Sequence, residues 1–118
     1  MACAQLLICC SAAERDDIRD SAKKRRQTIS GYILLIMDRA IDLEERLLAR
    51  AKWIPLARLE PMHALRPRTT FLVHCDPSEA ARIRTAARRR QVTISGFVLH
   101  CLRRTWRAEK TFRASKTA

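Results

Sequence analysis

Both glycines of this 118-residue chain lie in one tetrapeptide, and that tetrapeptide occurs twice. Thr28-Ile29-Ser30-Gly31 recurs as Thr93-Ile94-Ser95-Gly96, and the offset of 65 residues continues without a gap on both sides. Backward, Leu7 meets Leu72, Cys10 meets Cys75, Glu14 meets Glu79, Ile18 meets Ile83, Ala22 meets Ala87 and Arg25 meets Arg90. Forward, Tyr32 meets Phe97, Ile33 meets Val98, Leu34 meets Leu99 and Arg39 meets Arg104. About a third of positions 3–41 are identical to their mates in 68–106, several times the chance level, which marks an internal duplication.

Each copy reads the same way. A short apolar run, at about 5–10 and again at about 70–75, ends in a helix-start signal. In the first copy this is Ser11-Ala12-Ala13-Glu14, a capping box; in the second it is Asp76-Pro77-Ser78-Glu79, with Asp as cap and Pro at the first helical position. A strand feeding directly into a helix is the predicted result, with helices at about 12–25 and 77–90. Thr28 and Thr93 then cap second helices. Their apolar stripes are Ile29, Ile33, Leu34, Met37 and Ile41 in one copy, and Ile94, Val98, Leu99, Leu102 and Trp106 in the other. With no breaker before Pro55, the first of these helices is predicted over 29–52, and the second over 94–110.

About forty residues with one strand cannot satisfy that strand's backbone or bury both helix stripes. Two copies solve both problems by pairing their strands antiparallel and packing four helices about a pseudo-twofold axis. The spacing therefore predicts a first unit over 1–52, a linker over 53–67 carrying Pro55, Pro61 and Pro67, a second unit over 68–110 and a basic tail over 111–118. The linker is long enough to let both units associate within one chain. The expected assembly is thus a pseudo-dimeric monomer, with a homodimer formed by intermolecular exchange as the alternative.

Strand, capped helix, short turn and Ser/Thr-capped second helix, in this order and spacing, resemble the ribbon-helix-helix family of the methionine and Arc repressors. The resemblance covers residues 5–41 and 70–106. It implies a mostly α fold of two fused ribbon-helix-helix units (βαα-linker-βαα), an intramolecular pseudo-twofold dimer with a two-stranded antiparallel ribbon. In that family the ribbon enters the DNA major groove, with alternate residues facing bases and core. Carried onto this chain, Leu6, Ile8, Cys10, Phe71, Val73 and Cys75 become the core set. Gln5, Leu7, Cys9, Thr70, Leu72 and His74 become the base-facing set, with Leu7 opposite Leu72, Gln5 opposite His74 and Cys9 opposite Thr70. The two strands differ, so the expected site is non-palindromic. Family ribbons usually present polar or basic side chains, whereas the centre here is a leucine pair, suited either to thymine methyls or to a protein contact.

The resemblance also implies phosphate binding at the starts of the second helices, where free amides and the helix dipole favour an anion. The residues concerned are Arg25, Arg26, Thr28, Ile29 and Ser30 in one copy and Arg90, Thr93, Ile94 and Ser95 in the other. A plain N-cap is the competing role for these positions.

Charge points the same way. The net charge is +12, and residues 68–118 hold 12 Lys/Arg against 3 acids, so double-stranded DNA is the first partner to expect. The expected function is a small transcriptional regulator. The alternative is a protein-interaction module, antitoxin-like or an accessory protein of mobile DNA. No enzyme is expected: His74 and Cys75 are adjacent on a strand and point to opposite faces, and His100 and Cys101 diverge by about 100° on a helix. Neither the five cysteines nor the three histidines complete a metal-ligand spacing, so no metal, cofactor or small-molecule substrate is expected. The odd cysteine count reads as reduced, intracellular thiols, and the resemblance implies a cytoplasmic, bacterial, nucleoid-associated protein. The N-terminal run lacks the basic start of a leader, and no apolar run has membrane-spanning length.

Overall fold

In a computed structural model, which describes residues 3–50 and 68–117, the alternation of the two apolar runs becomes a pair of strands. The elements follow in the order β1 (Ala4–Ser11), α1 (Ala12–Lys24), α2 (Ile29–Arg50), β2 (Arg68–Cys75), α3 (Pro77–Arg89) and α4 (Ile94–Thr117). The predicted linker at 53–67, with Trp53, and positions 51–52 of the first long helix lie outside the described residues.

The strand-to-helix junctions come from local chemistry. Ser11 is extended, with φ −77° and ψ 160°; its Oγ accepts from the Glu14 amide at 3.1 Å, while Glu14 Oε1 accepts from the Ser11 amide at 3.2 Å. Two otherwise orphaned donors are satisfied at once, and the chain turns from strand to helix with no loop between. In the second copy Glu79 Oε1 accepts from the Asp76 amide at 3.1 Å, and Pro77 opens the helix.

The first helix of each copy also ends alike, and without glycine. Arg26 and Gln91, repeat mates, adopt left-handed backbone with φ 53° and 57°. The Gln27 amide donates to the Ala22 carbonyl and the Arg26 amide to Lys23, with the same pattern at Val92 and Gln91, so both ends close as Schellman motifs. A side chain in this conformation costs about 1–2 kcal/mol, which glycine avoids at the expense of a more flexible unfolded chain. Gln91→Gly is accordingly expected to stabilise by roughly 0.5–1 kcal/mol. The check is a urea midpoint that moves up with an unchanged slope; a lower midpoint would refute it.

β1 and β2 pair antiparallel in the register Gln5↔His74, Leu7↔Leu72 and Cys9↔Thr70. One face of this ribbon, Leu6, Ile8, Cys10, Val73 and Cys75, is buried with Ile18, Ala22, Tyr32, Ile33, Met37 and Ile41 from the first half and Ile83, Ala86, Phe97, Val98 and Leu102 from the second. These residues form one cluster. Trp106 packs half-buried on its edge, where its Nε1 donates to the Tyr32 hydroxyl at 2.9 Å.

The fold class expected from the sequence, two fused ribbon-helix-helix units assembled as an intramolecular pseudo-dimer, is corrected by this arrangement. The described residues hold one two-stranded sheet and four helices around one core, rather than two units joined together. The physical reason is that neither half contains anything complete. Every rung of the sheet joins the first half to the second, α2 packs on β2, α4 packs on β1, and α2 packs on α4. α4 also continues to Thr117, through residues expected as a tail, because nothing after Gly96 breaks a helix and Ala, Arg, Lys and Glu favour one. Among the described residues no helix is long and apolar enough to cross a membrane.

Candidate nucleic-acid interface

With one face of the ribbon in the core, strand periodicity turns the other outward. Gln5, Leu7, Cys9, Thr70, Leu72 and His74 are all exposed and form a two-column row. Leu7 and Leu72 sit at its centre, 56% and 43% exposed, an unusual degree for leucines facing each other across a rung. At one end the Gln5 amide nitrogen lies 3.4 Å from His74 Nδ1; at the other, Cys9 and Thr70 place a thiol beside a hydroxyl.

The starts of α2 and α4 are fastened to the ends of this row. The Ser30 hydroxyl accepts from the His74 amide at 3.0 Å, and the Ser95 hydroxyl accepts from the Cys9 amide at 2.9 Å. These two bonds are repeat mates. They bring a helix N-terminus to each end of the ribbon, beside rungs four residues apart along the strand, about 13 Å at the usual rise. Within each start the threonine is a cap: Thr28 Oγ1 accepts from the Gly31 amide, and Thr93 Oγ1 from the Gly96 amide, both at 3.0 Å. A Cβ on either glycine would come 3.1 Å from that oxygen, a tight contact that a small shift of the threonine would relieve. The amides of Ile29, Ser30, Ile94 and Ser95 fall in the first turn, where no intrahelical carbonyl reaches them. The side chains of Ile29 and Ile94 pack against the core. Threonine therefore serves as a cap and serine as a tie to the strand, while each serine O–H remains a potential donor.

The basic residues divide in two. Arg25 pairs with Glu109 and lies over the Tyr32 ring, 5.7 Å from its centroid. Arg90 Nε donates to Glu44 Oε1 at 2.7 Å, and Arg89 donates to the other oxygen of the same carboxylate at 3.2 Å. Of the three arginines marked by the sequence as phosphate ligands, Arg25 and Arg90 are thus bonded to carboxylates of the opposite half. Lys23, Lys24, Arg26 and Arg88 remain exposed around the turns leading into α2 and α4. The Arg25–Glu109 and Arg90–Glu44 pairs are themselves repeat mates. The sequence held a signal for them, since the offset that aligns Arg25 with Arg90 also aligns Glu44 with Glu109, just beyond the segment in which the repeat is strongest. Arg103 adds a further pair, with Glu14.

Nothing in the cysteines points to chemistry at the ribbon. Cys10, Cys75 and Cys101 are buried, and burial pushes each thiol pKa up, Cys101 to about 11. A thiol whose pKa is raised on folding favours the folded state below its ordinary pKa and loses that contribution as pH climbs, here over about 9 to 11 for Cys101. Cys3 and Cys9 are exposed. Among the described residues no group of three or more His, Cys, Asp or Glu could hold a metal ion.

No protein-family model, curated protein or solved structure matches this chain.

Proposed function

We propose that this protein binds double-stranded DNA by laying the outer face of its ribbon in the major groove, as a small transcriptional regulator. The observation that carries this reading is the row Gln5, Leu7, Cys9, Thr70, Leu72 and His74, exposed and held at each end against a helix N-terminus. A two-stranded ribbon fits a groove about 12 Å wide, and helix starts at diagonal corners of that ribbon can meet phosphates on its two walls. Ile29, Ser30, Ile94 and Ser95 would offer amides, the serines their hydroxyls, and Lys23, Lys24, Arg26 and Arg88 long-range attraction from a chain of net charge +12. The chain binds without catalysing a reaction in this reading, and its place is the bacterial cytoplasm, at the nucleoid. The Gln5–His74 end and the Cys9–Thr70 end differ chemically, so the preferred site is non-palindromic.

The test is fluorescence anisotropy against random duplex DNA at low and moderate salt, with a Leu7→Asp/Leu72→Asp variant alongside. Wild type is expected to bind with affinity that falls steeply with salt, by roughly 10³-fold or more between 50 and 200 mM if six phosphates are met. The variant is expected to remain folded and bind at least tenfold more weakly, because two carboxylates would face a polyanion. Binding that ignores salt, or a variant as good as wild type, would sink the reading.

A second reading rests on α2, where Leu43 and Leu47 are 51% and 48% exposed on the outer surface. Such a pair suits a protein partner, which would make the chain an interaction module of the antitoxin-like or mobile-DNA accessory kind. A stoichiometric complex lost in Leu43→Asp/Leu47→Asp, from a protein that does not bind DNA, would favour it.

A further inference from the structure

We infer that Leu7 and Leu72 select thymine at the centre of the DNA site by packing on its C5-methyl groups. This rests on the ribbon meeting DNA, as proposed above, and names the base chemistry that its centre recognises.

The two leucines face each other on one rung, more exposed than large apolar residues usually are, and polar rungs flank them on both sides. Leucine offers no donor or acceptor, so it cannot replace the water that a base edge loses when the ribbon docks. Any base pair at this position loses hydration from its polar edge atoms without a substitute, so to a leucine the pairs differ in the apolar contact they offer. The one apolar group that base edges display in the major groove is the thymine methyl. The leucines belong to different strands of an antiparallel pair, so the methyls they can reach lie on different DNA strands. The net charge of +12 and the helix starts at both ends of the row identify the covering partner as a polyanion rather than a second apolar surface. The rungs on either side lie about 7 Å from the centre, roughly two base-pair steps away, and there the Gln5–His74 and Cys9–Thr70 pairs meet different bases.

Uracil is thymine without the methyl, which gives a direct test. A duplex enriched by wild-type protein from a random pool is resynthesised with deoxyuridine in place of thymidine, and both forms are titrated by anisotropy. Burying one methyl is worth about fourfold in affinity, so losing two is expected to weaken wild-type binding roughly fifteenfold. Leu7→Ala/Leu72→Ala is expected to bind the two duplexes equally with the salt slope of wild type, its folding checked by circular dichroism. Restoring methyls as 5-methylcytosine opposite guanine, at the central positions alone, is expected to recover part of the loss. Equal wild-type binding of the thymine and uracil duplexes overturns the inference while leaving DNA binding intact. So does a selected site with unmethylated G·C at its centre, or discrimination that survives the alanine variant. Failure of wild type to bind any duplex overturns both the inference and the proposed function.

Discussion

Neither half of the chain, produced alone as residues 1–52 or 68–118, is expected to fold as a monomer. Among the described residues each half has a single strand, and every backbone bond of the ribbon crosses between halves. Each long helix also packs on the strand of the other half, so separating the halves strips Ile33 and Met37, or Val98 and Leu102, of most of their cover. Burying one such side chain contributes about 1.5–3 kcal/mol, and a domain of this size has only about 5–15 kcal/mol of net stability. The loss is therefore total. Circular dichroism of each half at micromolar concentration should show no cooperative thermal transition, and an equimolar mixture should recover one whose midpoint rises with concentration. A half with a sharp, concentration-independent transition would show that it carries a core of its own, contrary to the single-core fold.

The second large effect sets two versions of one ion pair against each other. Glu44→Ala is expected to cost roughly 3 kcal/mol, and Glu109→Ala less than about 1 kcal/mol. The carboxylates are repeat mates, and each meets the equivalent arginine of the opposite half. They differ in burial. The side chains of Glu44 and Arg90 are 6% and 17% exposed, while those of Arg25 and Glu109 are 41% and 36% exposed. Removing Glu44 strands Arg90 with little water to replace the carboxylate, and Arg89 loses its bond as well. Removing Glu109 leaves an arginine that solvent can reach. Urea unfolding of the two variants decides the matter, and equal losses would mean that burial does not set the worth of these pairs.

Local chemistry was legible in the sequence and distant pairing was not. Ser11 with Glu14, and Thr28 with Gly31, are three residues apart, so their capping bonds follow from spacing alone. The alternation of Leu6, Ile8 and Cys10 with Gln5, Leu7 and Cys9 likewise separates a buried face from an exposed one before any partner is known. The register is the one expected, with Leu7 facing its mate Leu72, Gln5 facing His74 and Cys9 facing Thr70. Beyond that, reading each copy as a unit was misleading, since the tertiary bonds run from one copy into the other. The Ser30–His74 and Ser95–Cys9 ties span 44 and 86 residues, and no local pattern distinguishes a serine that serves a strand from one that caps a helix. Arg26 and Gln91 were hidden for a different reason: a left-handed helix end is usually announced by glycine, and both glycines of the chain are used elsewhere.

Those serine ties have a consequence for solubility. A sheet of only two strands is all edge, and an edge with free amides invites a strand from another molecule. At residues 9 and 74 the outward N–H groups are already taken by hydroxyls from α4 and α2. An incoming strand would find no donor at either place, and the helix starts stand where its backbone would have to run. The contacts that position the ribbon's exposed row thereby also keep the ribbon from growing.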